Sequence, residues 1–392
     1  MLRLSEEAQV SSTEAEVVLV THFFPAHRGG VELVAGELAR RLGEHGKIRL
    51  LWFSSNCDAP PQPSPGLSAV PVCATNIIEE LLRLPYPLWS PFVLPKLWQS
   101  IRSARWIHLH DFMYAGNLAA FAIAKVLKKP VLVTQHIGFI PYDSFVFRFI
   151  LSAINRVLGA FVLKRATSVV FISQTVKRYF EGFVEFSNPP MLVANGVNQA
   201  TFNHPSENRR RELRRDLVSV NDEFVLLFVG RFIEKKGLSI LRHLATKFAH
   251  VRWIFAGRGP LDPAEWNLSN VTVHRDRSGA SLAALYMAAD LLVLPSKGEG
   301  FPLVVQESMA CGTPALVGEE TAEAWPRLEP YIFAAPISGE NVMATWERVL
   351  ENILTDRSRL LEMRREVAAY ARDEWSWERS AETYERIFES SG

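Results

Sequence analysis

Four side chains in the second half of the chain have the types and spacing to hold a phosphorylated, hydroxyl-rich ligand. Arg231 and Lys236 sit in GRFIEKKG, directly after the apolar run Phe224–Val229. A guanidinium forks onto phosphate oxygens, an ammonium adds a point charge, and a helix beginning near Leu238 turns its free N–H groups the same way. No Gly-Lys-Ser/Thr follows, so this is not a Walker loop. Glu299 and Glu307 lie eight positions apart in SKGEGFPLVVQE, which follows the apolar run Leu291–Leu294. Pro302 suits a first helical turn and Cys311–Gly312 a helix stop. Two carboxylates can serve as the acid/base pair of a hydrolase. Here both lie on one strand-to-helix edge beside two cations, which fits binding of hydroxyls better than flanking a bond from opposite sides. No Asp-x-Asp is present, so the reading assigns neutralisation of a leaving diphosphate to the cations and none of it to a metal. Gly257-Arg258-Gly259-Pro260, after the run Val251–Ala256, forms another turn on the ligand side.

The first half offers fewer candidates. His136 follows the strand-like run Val131–Thr134, at the C-terminal strand edge where open α/β sheets bind ligands, and His110 holds a similar position. Gly29–Gly30 separates Val17–Val20 from a helical pattern at Val31, Val34, Leu38 and Leu42; an anion site and a plain tight turn both fit. Residues 82–98 and 139–165 are aromatic, and the second stretch carries Arg148, Arg156, Lys164 and Arg165 against the single acid Asp143. One reading is an apolar, basic face for a membrane surface or a lipid-linked substrate; the other is a long core helix.

Positioning these residues takes two sets of strands and helices. The chain has 392 residues, 48% hydrophobic and 22% charged, with a formal charge of +1. That is the composition of a globular chain of two or three domains, without the basic excess that nucleic acid calls for. The longest apolar window, residues 145–163, is broken by Arg148, Asn155 and Arg156, so no transmembrane helix is expected. Cys57, Cys73 and Cys311 show no metal spacing and read as reduced thiols of a cytoplasmic protein. Strand–helix alternation runs from residue 17 to about 203 and restarts from 204 to 374, after a polar lead-in over 1–16. The fold class is α/β, with two doubly wound Rossmann-like domains facing across a cleft. The arginine run Arg209–Arg215 reads as a solvated helix face.

Taken together the motifs resemble those of the family-4 retaining glycosyltransferases with GT-B architecture. GRFIEKKG resembles their Gly-Arg-x4-Lys-Gly diphosphate motif, and EGFPLVVQE their Glu-x7-Glu motif. Asn195–Gly196–Val197, Ala289–Asp290, Leu294–Pro295–Ser296, Gly29–Gly30 and His136 fall in the matching order, and Ser376–Trp377 resembles the opening of a closing helix, residues 375–392, that crosses back to the first domain. The resemblance implies an N-terminal acceptor-side domain and a C-terminal domain that binds a UDP- or GDP-linked sugar, with no other cofactor and no metal. Arg231 and Lys236 would hold the diphosphate, Glu307 the ribose, and Glu299 with the amides of Gly300, Phe301 and Leu303 the donor sugar. Gly257 and Arg258 would border that pocket, Gly29 and Gly30 would admit phosphate to the backbone, and His136 would reach the sugar from the first domain. The implied reaction is same-face displacement, with a leaving phosphate oxygen taking the acceptor's proton. The expected acceptor is a lipid-linked glycan or a polysaccharide precursor, the lipid-linked version following from the aromatic, basic stretches of the first domain, which places the protein in the cytoplasm or at the inner membrane face. A non-catalytic nucleotide-sugar binder and a transferase of small soluble acceptors are the alternatives. Three positions depart from the family: Asn198 where Asp is common, Arg258 where an acid is common, and VGEETAEAWPRLEP in place of a Gly-Gly-x-x-Glu run after Pro314.

Overall fold

The computed structural model describes residues 16–82, 86–138, 145–218 and 224–390. The lead-in up to residue 15, and residues 83–85 and 139–144 of the two aromatic stretches, lie outside the described residues. The first sheet begins with β1 (Val17–Val20), β2 (Leu50–Ser55) and β3 (Leu67–Val72). A separate antiparallel ribbon follows, β4 (Ala74–Thr75) with β5 (Leu88–Trp89). The sheet resumes with β6 (Trp106–His110), β7 (Val131–Gln135), β8 (Ser168–Phe171) and β9 (Met191–Leu192). The second sheet is β10 (Val225–Val229), β11 (Arg252–Ala256), β12 (Val271–His274), β13 (Leu291–Leu294), β14 (Ala315–Gly318) and β15 (Ile332–Ala335).

Runs such as VVLV, VLLFV and LLVL are buried along their whole length, the pattern of strands covered by helices on both faces. All pairings within the two sheets are parallel. The strand orders are β3-β2-β1-β6-β7-β8-β9 and β12-β11-β10-β13-β14-β15. In each sheet the winding reverses beside the first strand, between β1 and β6 and between β10 and β13. That reversal opens a crevice at the C-terminal strand ends.

The chain crosses between the sheets twice, and the two crossings are stitched together. The Val197 amide donates to the Trp375 carbonyl at 2.9 Å. Ser380 Oγ donates to the Ala194 carbonyl at 3.0 Å. A Cβ on Gly196 would overlap the backbone N and Cα of Trp377. The closing helix spans Trp377–Glu389. Trp375 stays in the second core, edge-on to Phe301, while Trp377, Tyr384, Ile387 and Phe388 join Val17, Leu19, Trp52 and Trp106 in the first.

Two stretches pack differently from their sequence pattern. The arginine run is not uniformly solvated: Arg210 and Arg214, one turn apart on the helix Glu207–Val218, are buried on Asp290 at 2.5 and 2.9 Å. Arg214 also donates to the Ala288 carbonyl at the end of helix Gly279–Ala288, where a cation suits the helix dipole. The stretch after residue 144 forms helix Phe145–Ile154, a π turn over Asn155–Gly159 and helix Ala160–Arg165. It buries Asn155, Gly159, Val162 and Leu163, yet leaves Phe149, Ile150, Val157 and Phe161 exposed. It is therefore not wholly a core helix.

Candidate active site

In the second domain the cations and Glu299 converge at the sheet reversal. After β10 the chain turns through Arg231 and a short 3-10 turn, Glu234–Lys236, that ends at Gly237 with φ of 76°. A Cβ there would overlap the Pro295 carbonyl, so only glycine lets the lysine turn lie against the end of β13. The Lys297 amide donates to the Lys235 carbonyl at 3.0 Å and fixes the two loops together. Lys236 Nζ then stands 2.9 Å from Glu299 Oε1, and Lys235 Nζ 3.9 Å from the same oxygen. Burial pushes the Glu299 carboxyl up, but the lysines, with Arg231 behind them, outweigh it and hold the group below the ordinary glutamate value. Arg231 itself is exposed.

Gly257 and Gly259 serve this turn as a buttress. A Cβ on Gly257 would overlap the Gly230 carbonyl, and one on Gly259 the Phe232 backbone. The Phe232 amide donates to the Arg258 carbonyl at 2.8 Å. The Arg258 side chain points to an exposed ion pair with Asp276.

Glu307 lies on helix Leu303–Ala310 and accepts from the Tyr286 hydroxyl at 3.1 Å. Burial pushes its carboxyl up to about 7, against the pull of that hydrogen bond. The two glutamates are thus set apart: Glu299 is held ionised, Glu307 is poised between its forms at neutral pH.

The loop between them meets the first domain. A Cβ on Gly300 would stand 2.6 Å from the His136 carbonyl. Phe301 is buried parallel to Trp325, and Leu303 packs on the first core. Pro302 caps the helix with no N–H to give.

His136 is buried, its Nε2 2.8 Å from His110 Nδ1, and its amide donates to Asp111 Oδ1 at 2.8 Å. His108 lies tilted against His110 and bonds Thr134, which meets the Tyr384 hydroxyl at 3.0 Å. Burial takes His136 and His108 down to about 3 and His110 well below the ordinary imidazole value, so all three are neutral at neutral pH. Burial pushes Asp111 up to about 7. Beside them His22 Nε2 binds Glu32 Oε1 at 2.7 Å. Glu32 curls back over its own helix start, where a Cβ on Gly29 would overlap Oε2. The N-terminus behind Gly29–Gly30 therefore already faces a carboxylate, which competes with a phosphate for that position.

His22, Glu32, Asp111 and Lys235 were not singled out from the sequence. His22 and Asp111 follow β1 and β6, so the strand-end argument that selected His136 also reaches them. Glu32 carries no such signal.

Comparison with known proteins places the chain in a family. The model named Glycosyltransferase Family 4 matches residues 28–201, and the model named Glycosyl transferases group 1 matches residues 223–344. The chain belongs to the family-4 glycosyltransferases. Its GT-B fold is shared with sucrose-phosphate synthase from Thermosynechococcus elongatus, at a TM-score of 0.72 and 18% identity over 96% of this chain and 98% of that one. HepE of Anabaena, solved with UDP and glucose, gives 0.72 and 16% over 96% and 100%. Among relatives by sequence, an uncharacterized glycosyltransferase of Methanocaldococcus jannaschii is 29% identical over 164 residues, 38% of this chain and 41% of its own. The D-inositol 3-phosphate glycosyltransferase of Mycobacterium tuberculosis is 37% identical over 138 residues, 32% and 28%. The matched part thus spans less than half the length of either curated relative.

Proposed function

We propose that the chain is a retaining glycosyltransferase that moves a hexose from a UDP- or GDP-linked donor to an acceptor hydroxyl without a metal ion. The observation that carries this is the meeting of Lys235, Lys236 and Glu299 at the second sheet's reversal, with Arg231 in the same turn, opposite His136 at the edge of the first. Cations on one side suit a diphosphate that gains charge as it leaves. An ionised Glu299 suits donor hydroxyls, and Glu307 the ribose. His136, kept neutral, can offer or accept a hydrogen bond without adding charge near an oxocarbenium-like sugar. The acceptor's proton passes to the leaving phosphate oxygen, so no covalent sugar–protein bond is needed. The UDP-glucose complex of HepE supports the donor class. A thermal-shift panel of UDP-, GDP- and ADP-sugars tests it, since bound donor stabilises by RT ln(1 + [L]/Kd). If none raises the melting temperature at saturating concentration, the donor site is misassigned.

A membrane-presented acceptor is the reading favoured by the first domain's surface. Among the described residues no helix is long and apolar enough to cross a membrane. Phe149, Val157 and Phe161 are instead exposed to solvent, with Arg156, Lys164 and Arg165 close by in sequence. Such a face suits an anionic interface. Co-sedimentation with phosphatidylglycerol vesicles is expected, and Phe149→Ser with Val157→Ser is expected to abolish it; no pelleting of the parent would remove this part of the proposal.

A further inference from the structure

The segment that replaces the family's Gly-Gly-x-x-Glu run is tied to both halves of the cleft. After β14 the chain makes one turn of helix, Glu319–Ala322. Glu320 Oε2 accepts the Gly298 amide at 3.1 Å. Gly298 is buried, with φ of 60°, and a buried amide calls for a hydrogen-bond partner, which Glu320 supplies. Gly298 is the residue before Glu299. Three residues past the short helix, Trp325 lies parallel to Phe301, two residues after Glu299. The donor-sugar loop is thus gripped at both ends by one segment.

The same segment is fastened to the first domain. The Gln174 amide, a first-turn N–H of helix Gln174–Glu181, donates to the Ala324 carbonyl at 2.7 Å. This bond satisfies a group that the helix cannot satisfy itself. Arg178 meets Glu323 at 3.2 Å, though both side chains are mostly exposed and the pair adds little. Gly300 sits against Ile172 and Val176 beside the same helix.

We infer that Glu320 is a positioning residue for the donor sugar, acting through the Gly298 amide to set the Glu299 loop, on a strap that registers closure of the first domain. The inference rests on the donor-site reading above. It differs from a purely structural role in one respect: the loop it sets faces the sugar, while the nucleotide is held by other residues. Loss of Glu320 should therefore weaken a nucleotide-sugar and spare the bare nucleotide.

The test measures Kd by calorimetry for UDP, UDP-glucose, GDP and GDP-mannose on the full chain. Wild type is expected to bind one nucleotide-sugar more tightly than its nucleotide. Glu320→Ala is expected to raise that sugar donor's Kd about tenfold, the scale of one hydrogen bond to a charged group, and to leave the nucleotide's Kd within about twofold. Glu320→Asp keeps the charge but shortens the reach, so it should behave like alanine and carries the test if the alanine variant melts early. Glu320→Gln keeps an acceptor oxygen and should retain wild-type values. Equal weakening of both ligands, or no weakening, overturns the inference while the donor site stands. Binding of none of the four by wild type overturns the donor site and this inference with it.

Discussion

Replacing Lys236 with methionine keeps the aliphatic stem and removes an ammonium 2.9 Å from Glu299. Two consequences can be worked out separately. Lys235 remains at 3.9 Å, and since Coulomb energy falls as 1/r it exerts roughly three-quarters of the lost attraction. Burial still pushes the Glu299 carboxyl up, now against one lysine fewer, so its pKa rises. The second consequence is for the leaving diphosphate, which loses an oriented charge. Removing one such group costs about 2.7–4 kcal/mol, or 10²–10³ in kcat. The expected result is a kcat loss in that range, with the acid limb of kcat/KM displaced to higher pH because Glu299 must be ionised to bind hydroxyls. Nucleotide release followed from about pH 5 to pH 9 measures both. Lys235→Met, removing the more distant charge, should lose less. A Lys236→Met enzyme within threefold of wild-type kcat, or an acid limb that stays put, would falsify the assignment of Lys236 to the leaving group.

Other outcomes follow from packing and charge. Between about pH 6 and pH 4.5 the unfolded first domain protonates His108, His110 and His136, which the folded state keeps neutral, while folded Asp111 retains a proton the unfolded chain releases. The net difference is about two protons, so stability should fall by roughly 3 kcal/mol per pH unit on acidification; urea titrations across that range check the slope. Asp290 works in a different window. Burial raises its pKa but Arg214 and Arg210 outweigh it, so its contribution is complete above about pH 4 and is lost as pH falls through the folded value. Asp290→Asn at pH 7 should cost about 3–5 kcal/mol by stranding buried arginines, seen as an early second-domain transition in denaturant. Gly196→Ala should displace helix Trp377–Glu389 and cost about 1–3 kcal/mol by overpacking; limited proteolysis would show the helix released.

The architecture was legible because its elements are consistent at several levels. Buried aliphatic runs, glycine turns and helical spacing alternate twice, the pattern of a parallel sheet covered by helices on both faces. Arg231, Lys236 and Glu299 were legible because they stand at strand ends, where chain position alone implies convergence. Partnership was harder to read. That Lys236 rests on Glu299, that Glu307 shares a hydrogen with Tyr286, and that Arg210 and Arg214 clamp Asp290 all depend on which loops meet, a property of the assembled sheets. Glu32 was invisible for a related reason: its carboxylate acts by folding back over Gly29, and spacing does not report a side chain's direction. The stretch after Pro314 was visible only as a departure from the family; its grip on Gly298 and on Gln174 arises from loops far apart in the chain.

The placement of Trp377, Tyr384, Ile387 and Phe388 in the first core has a bearing on how the protein is made. A ribosome delivers β1 to β9 first, yet the cavity over Val17, Leu19, Trp52 and Trp106 is filled by a helix that emerges only after the whole second domain. The second domain, whose core draws on residues 194–375, can close as it leaves the tunnel. The first must wait with an apolar face uncovered, so here the usual order, in which N-terminal domains mature first, is inverted. Until helix Trp377–Glu389 docks, that apolar face stays open to water, the kind of exposure that makes an incompletely folded domain prone to aggregate.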